Sequence, residues 1–342
     1  MISPLAGNHT GLCPKSEATS EDLAGAQKEA MIALLAFVLA QADLAREVHE
    51  KGWIVYGARS PKGDWDLFAM KPDGSDVRNL TQTPEFNEGL PRYSPDGKRL
   101  LYRRLPKGET FDNNRHGLQG ELVMANADGA NPETLGAPGE YPWASWSPDG
   151  SKIACLSAKG IVIVDLESRK VTGALERKGF FQQMTWSPDG KWLCGVANNF
   201  DTGWSVARME VATGLVNAVS KADCCTPDWF PDSKAIIFSR RPGAWTQLWM
   251  ADAEGRQRMP LYSEDGRHCY GGCISPDGKY ILFTGNKEED GDAVNRGAPM
   301  SLMRLRDAPI VKHPSKAASS PVLSLPVGWE PHWTQAQAGG EK

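Results

Sequence analysis

The chain has 342 residues, 40% hydrophobic and 23% charged, which is enough apolar material for a buried core and too much for a disordered or fibrous chain. Its 38 basic and 42 acidic residues give a net charge of -4. That balance offers no electrostatic footprint for a polyanion, so nucleic acid is excluded as an expected partner.

In chain order, the first distinctive segment is "MIALLAFVLAQA", an apolar run from Met31 to Ala40 followed by Gln41 and Ala42. Small residues at Ala40 and Ala42 fit the pattern a signal peptidase inspects, with cleavage after Ala42. The run is too short to span a bilayer, which takes about 20 residues. Residues 1–42 are therefore expected to be a removable N-terminal segment. Residues 43–342 are expected to form the exported domain, periplasmic or extracellular and not membrane-spanning. Glu17, Glu21, Asp22 and Glu29 make the start acidic where a signal peptide is usually basic, and a short buried helix is the competing reading.

From Gly52 onward the chain repeats itself. "YSPDGKRLLY" begins at Tyr93, "WSPDGSKIAC" at Trp146, "WSPDGKWLCG" at Trp186, "WFPDSKAIIF" at Trp229 and "ISPDGKYILF" at Ile274. Between two apolar runs, Pro fixes φ, Asp bonds its own following backbone and Gly supplies a positive φ, so each string predicts a tight hairpin. The five aspartates, Asp96, Asp149, Asp189, Asp232 and Asp277, then serve the turn rather than chemistry. A third strand follows each hairpin, as in "ELVMA" from Glu121 and "GIVIV" from Gly160, and turn signals such as "NADGAN" from Asn126 lead to a fourth. Four antiparallel strands per unit make a propeller blade. "GWIVYGA" from Gly52 lacks a first strand and "EPHW" from Glu330 lacks a second. Paired, they complete six four-stranded blades in an all-β, six-bladed propeller closed by strands from both termini, which removes open sheet edges.

These strings resemble the TolB-like β-propellers, whose repeats carry W-S-P-D-G-K followed by a strand ending in N-A-D-G and then R-x-L-T. "DLFAMKPDGSDVRNLT" from Asp66 and "SPDGKRLLY" from Ser94 carry the resemblance, which covers about residues 50 to 335. It implies the propeller fold and a protein-binding role. The fourth repeat departs from the pattern at Phe230 and Ser233, and the residues between Ala42 and Trp53 are too few for the N-terminal α/β domain of the TolB translocation protein, so that domain is not expected here.

Candidate functional residues follow from strand geometry. Trp146, Trp186 and Trp229 share one place in successive first strands, where a large ring packs between blades. Side chains alternate faces along a strand, so the residue just before that place points away from the packing. These residues are Arg92, Ser145, Thr185, Asp228, Cys273 and His332, a ring expected to line the central channel either as solvated filler or as a ligand site. Cys224, Cys225, Cys269 and Cys273 lie just before the fourth and fifth first-strand positions. In an oxidising compartment a disulfide between Cys224 and Cys269 is the sharp expectation, with buried thiols the alternative. The spacing of Cys269 and Cys273 beside His268 is too loose for zinc, and no metal is assigned. "NKEEDGDAVNRG" from Asn286 places Gly297 where a calcium loop needs Glu, so an acidic surface loop is expected there. The insertion "LPKGETFDNNRHGLQG" from Leu105, with His116, is a candidate contact surface.

No nucleophile elbow, P-loop, dinucleotide fingerprint or H-E-x-x-H is present, so no cofactor and no catalytic residue are assigned. The reading is a non-enzymatic propeller that binds a protein or peptide partner through one face or the channel mouth. The resemblance also reaches a metal-dependent, periplasmic carbohydrate-active enzyme of the oligogalacturonate lyase kind. Such a site needs several histidines on one face, and only His332 stands in the ring. A structural interaction subunit with an empty channel is the third alternative.

Overall fold

A computed structural model describes residues 20–112, 116–158, 160–198, 200, 203–287, 297–305 and 321–335. The acidic loop expected after Asn286 falls almost wholly outside the described residues. The chain divides into two compact units between Ala40 and Gln41. Helix α1 (Ser20–Val48) contains in the first unit Met31, Ile32, Leu34, Leu35, Val38 and Leu39, all half exposed or more. No helix among the described residues is long and apolar enough to cross a membrane.

The second unit is an all-β antiparallel propeller of four-stranded blades. Its strands are β1 (Trp53–Arg59), β2 (Trp65–Met70) and β3 (Arg78–Asn79), then four sheets of four. The first sheet holds β4 (Phe86–Tyr93), β5 (Arg99–Pro106), β6 (Glu121–Asn126) and β7 (Glu133–Leu135). The second holds β8 (Ser145–Trp146), β9 (Lys152–Ser157), β10 (Gly160–Asp165) and β11 (Val171–Leu175). The third holds β12 (Phe180–Trp186), β13 (Trp192–Ala197), β14 (Ser205–Glu210) and β15 (Val216–Ala218). The fourth holds β16 (Cys224–Trp229), β17 (Ala235–Arg240), β18 (Gln247–Asp252) and β19 (Arg258–Tyr262).

The remaining strands correct the expectation of six separate four-stranded sheets. β20 (Arg267–Ile274), β21 (Tyr280–Lys287), β22 (Ala298–Arg304) and β23 (Leu323–Thr334) join β1, β2 and β3 in one seven-stranded sheet. The physical reason is the length of β23. Its first half pairs with β22, from Leu302 opposite Leu323 to Ala298 opposite Gly328. Its second half pairs with β1, with Gly57 opposite Trp329, Val55 opposite His332 and Trp53 opposite Thr334.

Apolar clusters join successive sheets. Val55 and Leu67 meet Tyr93 and Leu100; Leu101 and Leu122 meet Trp146 and Ile153; Leu156 and Ile161 meet Phe180 and Leu193. Val206 meets Trp229 and Phe238, and Ile237 and Leu248 meet Ile274 and Phe283. The end of α1 joins this core, because Leu44 and Val48 are fully buried against Ile54, Tyr56, Leu282 and Leu302. Glu47 anchors it by accepting from Tyr280 Oη and from Arg304 Nε, the latter at 2.8 Å. Leu44→Ala is expected to cost about 3 kcal/mol in urea unfolding, as for any fully packed leucine that cannot be replaced by collapse.

The S-P-D-G strings form the turns that set this pattern. In the second sheet Ser147 Oγ donates to Asp149 Oδ1 at 2.6 Å and accepts from Lys152 N–H at 2.9 Å, while Asp149 Oδ1 accepts from Ser151 N–H at 2.9 Å. These bonds, the Ser147 hydroxyl first, hold the Asp149 pKa down to about 2. The same bonds recur at Ser94, Ser187 and Ser275. At the fourth repeat Phe230 has no hydroxyl to offer, and Ser233 takes the φ of 60° that glycine supplies elsewhere. Ser147→Ala is expected to lower stability by about 1–2 kcal/mol, since two buried hydrogen bonds are lost. Chemical denaturation reads this loss, and an unchanged near-ultraviolet spectrum shows that the blade interfaces persist.

Candidate functional site

β4, β8, β12, β16 and β20, each running toward its P-D-G or P-D-S turn, and the second half of β23 surround a cavity of about 1060 Å³. Arg92, Ser145, Thr185, Asp228, Cys273 and His332 all line it. The hydrogen bonds of this ring run between neighbouring sheets. Ser145 Oγ accepts from Trp186 N–H at 2.9 Å and His332 Nδ1 from Tyr93 N–H at 3.2 Å. In the same direction round the ring, the indole N–H of Trp146 donates to Arg92 O at 3.1 Å and that of Trp229 to Thr185 O at 3.4 Å. The tryptophans thus pack between blades and tie the ring together.

The charges in the ring are few and close. Arg92 pairs with the Glu330 carboxylate and donates to the Glu330 carbonyl at 3.1 Å. Burial opposes the Arg92 charge, but Glu330 and then Asp228 outweigh it and hold its pKa above the ordinary value. Burial pushes Asp228 up to about 6, against the pull of Arg92 and of hydrogen bonds from Trp229 N–H and the Thr185 hydroxyl. His332 is driven down to about 3 by burial and then by Arg92, so it is neutral in ordinary buffers. Burial also raises Cys273 to about 12, which keeps it a thiol.

A second ring lies two residues before the first, on the face that alternation shares with it. It comprises Leu90, Trp143, Gln183, Thr226, Gly271 and Glu330, and all six have φ between 49° and 59°. All six also line the cavity. Pairing registers slip beside this position, between Gly89 and Arg92, Gln182 and Thr185, Cys225 and Asp228, and Tyr270 and Cys273. These slips are β-bulges, which bend a strand and re-aim a side chain. A left-handed backbone in residues as large as leucine and tryptophan costs about 1–3 kcal/mol each, a strain that gathers at functional sites. Gln183 Oε1 accepts from Thr226 N–H at 2.7 Å, and Thr226 Oγ1 from Gly271 N–H at 3.4 Å, so this ring too is laced across blades. A signal for it stood in the sequence: Pro91, Pro227 and Pro331 occupy equivalent places, and proline inside a strand marks a bulge.

Above this ring the mouth has two unlike sides. Leu90, Trp143 and Trp329 form one side, next to the insertion after β5. Phe111 of that insertion packs on Trp329 with ring centroids 5.3 Å apart. Gly117 lies so close to Trp143 that a Cβ there would sit 2.2 Å from the indole. Residues 113–115 of the insertion lie outside the described residues. The other side carries Gln182, Trp204, Arg241, His268, Tyr270 and Asn286. His268 is held between Trp245 and Tyr270, with centroids at 5.2 and 5.8 Å, and its Nδ1 accepts from Thr246 N–H at 3.2 Å.

The expected disulfide is not formed. All six described cysteines are free thiols. Cys224 packs with Cys194 and Trp229 between the third and fourth sheets, whereas Cys269 packs with Ile281 and Phe283 beside β20. The two therefore face different blade interfaces. A metal site fits no better: among the described residues no three His, Cys, Asp or Glu side chains form a metal-holding group. The two cavity histidines already accept backbone N–H bonds through Nδ1.

A family model described only as a protein of unknown function (DUF1513) matches residues 229–298. The Tol-Pal system protein TolB of Francisella tularensis subsp. holarctica (strain OSU18) is 24% identical over 178 residues, 49% of this chain and 41% of the relative. The crystal structure of TolB from Acinetobacter baumannii superposes with a TM-score of 0.62 at 17% identity, over 83% of this chain and 67% of that one. The chain is a β-propeller of the TolB-like type. An uncharacterized protein of Agrobacterium fabrum (strain C58), Atu1656, is 26% identical over 194 residues, 45% of this chain and 64% of the relative. This TolB-like propeller thus spans less than two thirds of the length of the curated relatives it matches.

Asp228 provides a test of the ring's electrostatics. An acid whose folded pKa lies above its unfolded value of about 4 binds its proton more tightly when folded. Its contribution to stability is therefore full at low pH and is lost as pH rises from about 4 through 6. Asp228→Asn should be near neutral in urea unfolding at about pH 4 and stabilising by about 1 kcal/mol at about pH 7.5, the full shift being discounted for cavity water.

Proposed function

We propose that this chain is an exported, non-enzymatic, six-bladed propeller that binds a protein or peptide partner through the wide mouth of its cavity. The observation that carries the reading is the state of the cavity wall. Its polar side chains are engaged with neighbouring blades, as Ser145, Gln183, Thr226 and His332 are, and they leave a stiff, concave and chemically varied mouth. Rigid sites of this kind recognise by shape and pre-organisation, without a nucleophile and base set aside for chemistry. In the six-bladed count the seven-stranded sheet is two blades that share β23, and six equivalent left-handed residues support it. Export with cleavage after Ala42 is supported by the start of the second compact unit at Gln41. Binding of a protein partner is supported by the likeness to proteins named as Tol-Pal system components.

The test uses the full gene expressed in its host. Intact mass of the envelope-fraction protein should begin at Asp43, and six thiols should alkylate without reduction. A photo-crosslinking residue in place of Trp204, at the mouth, should trap a polypeptide that one in place of exposed Val171 does not. The purified partner should then bind at least about tenfold more weakly to Trp204→Ala, the loss expected when an interface aromatic is truncated. Equal trapping at both positions, or turnover of a uronate polymer with added manganese, would overturn the reading.

A further inference from the structure

The charge of the cavity wall is unbalanced. Three arginines line it, Arg92, Arg103 and Arg241, against the two carboxylates Asp228 and Glu330. Arg92 and Glu330 satisfy one another, and Asp228 takes hydrogen bonds from Trp229 N–H at 2.9 Å and the Thr185 hydroxyl at 3.4 Å. Arg103 is 3% exposed, and its guanidinium donates to the backbone carbonyls of Gly120, Glu140 and Tyr141. Among the described residues no carboxylate lies within ion-pairing reach of it. At the rim, the backbone N–H of Arg241 donates to Asp223 O at 3.0 Å, but among the described residues its exposed guanidinium has neither a carboxylate nor a hydrogen-bond partner. A buried guanidinium normally has an anion, since desolvating the charge without one is costly.

Resting on the peptide-binding reading above, we propose that the mouth selects peptide segments bearing a carboxylate, Arg241 meeting it at the rim and Arg103 supplying positive potential in the opposite wall. Arginine suits the task because its planar fork matches a carboxylate in two parallel hydrogen bonds. Lys side chains would meet the same uncompensated charge and be rejected.

Short random peptides displayed on phage and selected on the immobilised full-length chain would test this. The enriched set should be richer in Asp and Glu and poorer in Lys and Arg than the input. A synthetic peptide from that set should bind Arg241→Gln about tenfold more weakly, the worth of one charge-assisted hydrogen bond, with Arg241→Lys restoring part of the loss. Replacing its Asp and Glu by amides should weaken binding to the wild-type chain to the same degree and make it indifferent to Arg241→Gln. Enrichment without acidic bias, or binding unaffected by Arg241→Gln, would overturn the carboxylate selection and leave peptide binding standing. No enrichment at all would overturn both.

Discussion

The pairing of β23 is the constraint from which the rest of the architecture follows. A single twelve-residue strand takes β22 as its partner through its first half and β1 through its second. A ladder of backbone pairs therefore joins strands from opposite ends of the chain, whereas the other sheets meet their neighbours through side chains and single backbone bonds such as Cys224 N–H to Trp204 O at 3.0 Å. The strand carries three aromatic or ring-forming groups at that seam, Trp329, His332 and Trp333. Trp333 donates its indole N–H to Lys51 O at 2.7 Å, and Trp329 packs on Trp65 at 5.8 Å between centroids. Backbone pairing thus fixes the register at the seam, and the wall residues His332 and Glu330 inherit their positions from it.

That dependence explains the strain in the second ring. Five left-handed residues other than glycine, at about 1–3 kcal/mol each, would be a large burden for a marginally stable domain. They persist because each bulge is over-determined by its surroundings. Gln183 and Thr226 bond forward to the next blade, Arg92 bonds back to Glu330, and Gly271 removes the penalty where no side chain is needed. Inter-blade hydrogen bonds in a confined cavity are worth more than in water, and they lose that worth if the ring loosens. The strained positions and the wall therefore stand or fall together, and Trp143 could not be re-aimed without disturbing Gly117 and the insertion behind it.

How far the sequence could be read depends on local rules holding. The S-P-D-G strings carried their own turn chemistry, so the repeats and the places of the ring residues were legible from spacing alone. Alternation located Arg92 and His332 because they stand immediately before the packed aromatic position. Two residues further back it puts the second ring on the same face, but it carries no signal for the left-handed backbone there, which Pro91, Pro227 and Pro331 mark. The merging of the last strands into one sheet was not legible, because the length of β23 is set by pairing with residues more than 200 positions away in the chain. The Cys224–Cys269 pairing failed for a related reason. Equivalent loops approach one another, but cysteines at the starts of adjacent first strands face different interfaces.

The electrostatics of the wall are hidden by a neutral-looking composition. A net charge of -4 over the whole chain says nothing about a cavity where three arginines meet two acids. His332, driven neutral by burial and Arg92, cannot add to the positive charge, and Asp228, driven up to about 6, is the acid most ready to give up its negative one. Protonating Asp228 would leave the wall more positive still. Both shifts arise because desolvation penalises charge, and Arg92 retains its own because Glu330 is held against it by the bulged backbone. The same left-handed residue that strains the strand thus holds the Arg92–Glu330 ion pair in place, and among the described residues of the wall the guanidinium charges without a carboxylate are those of Arg103 and Arg241.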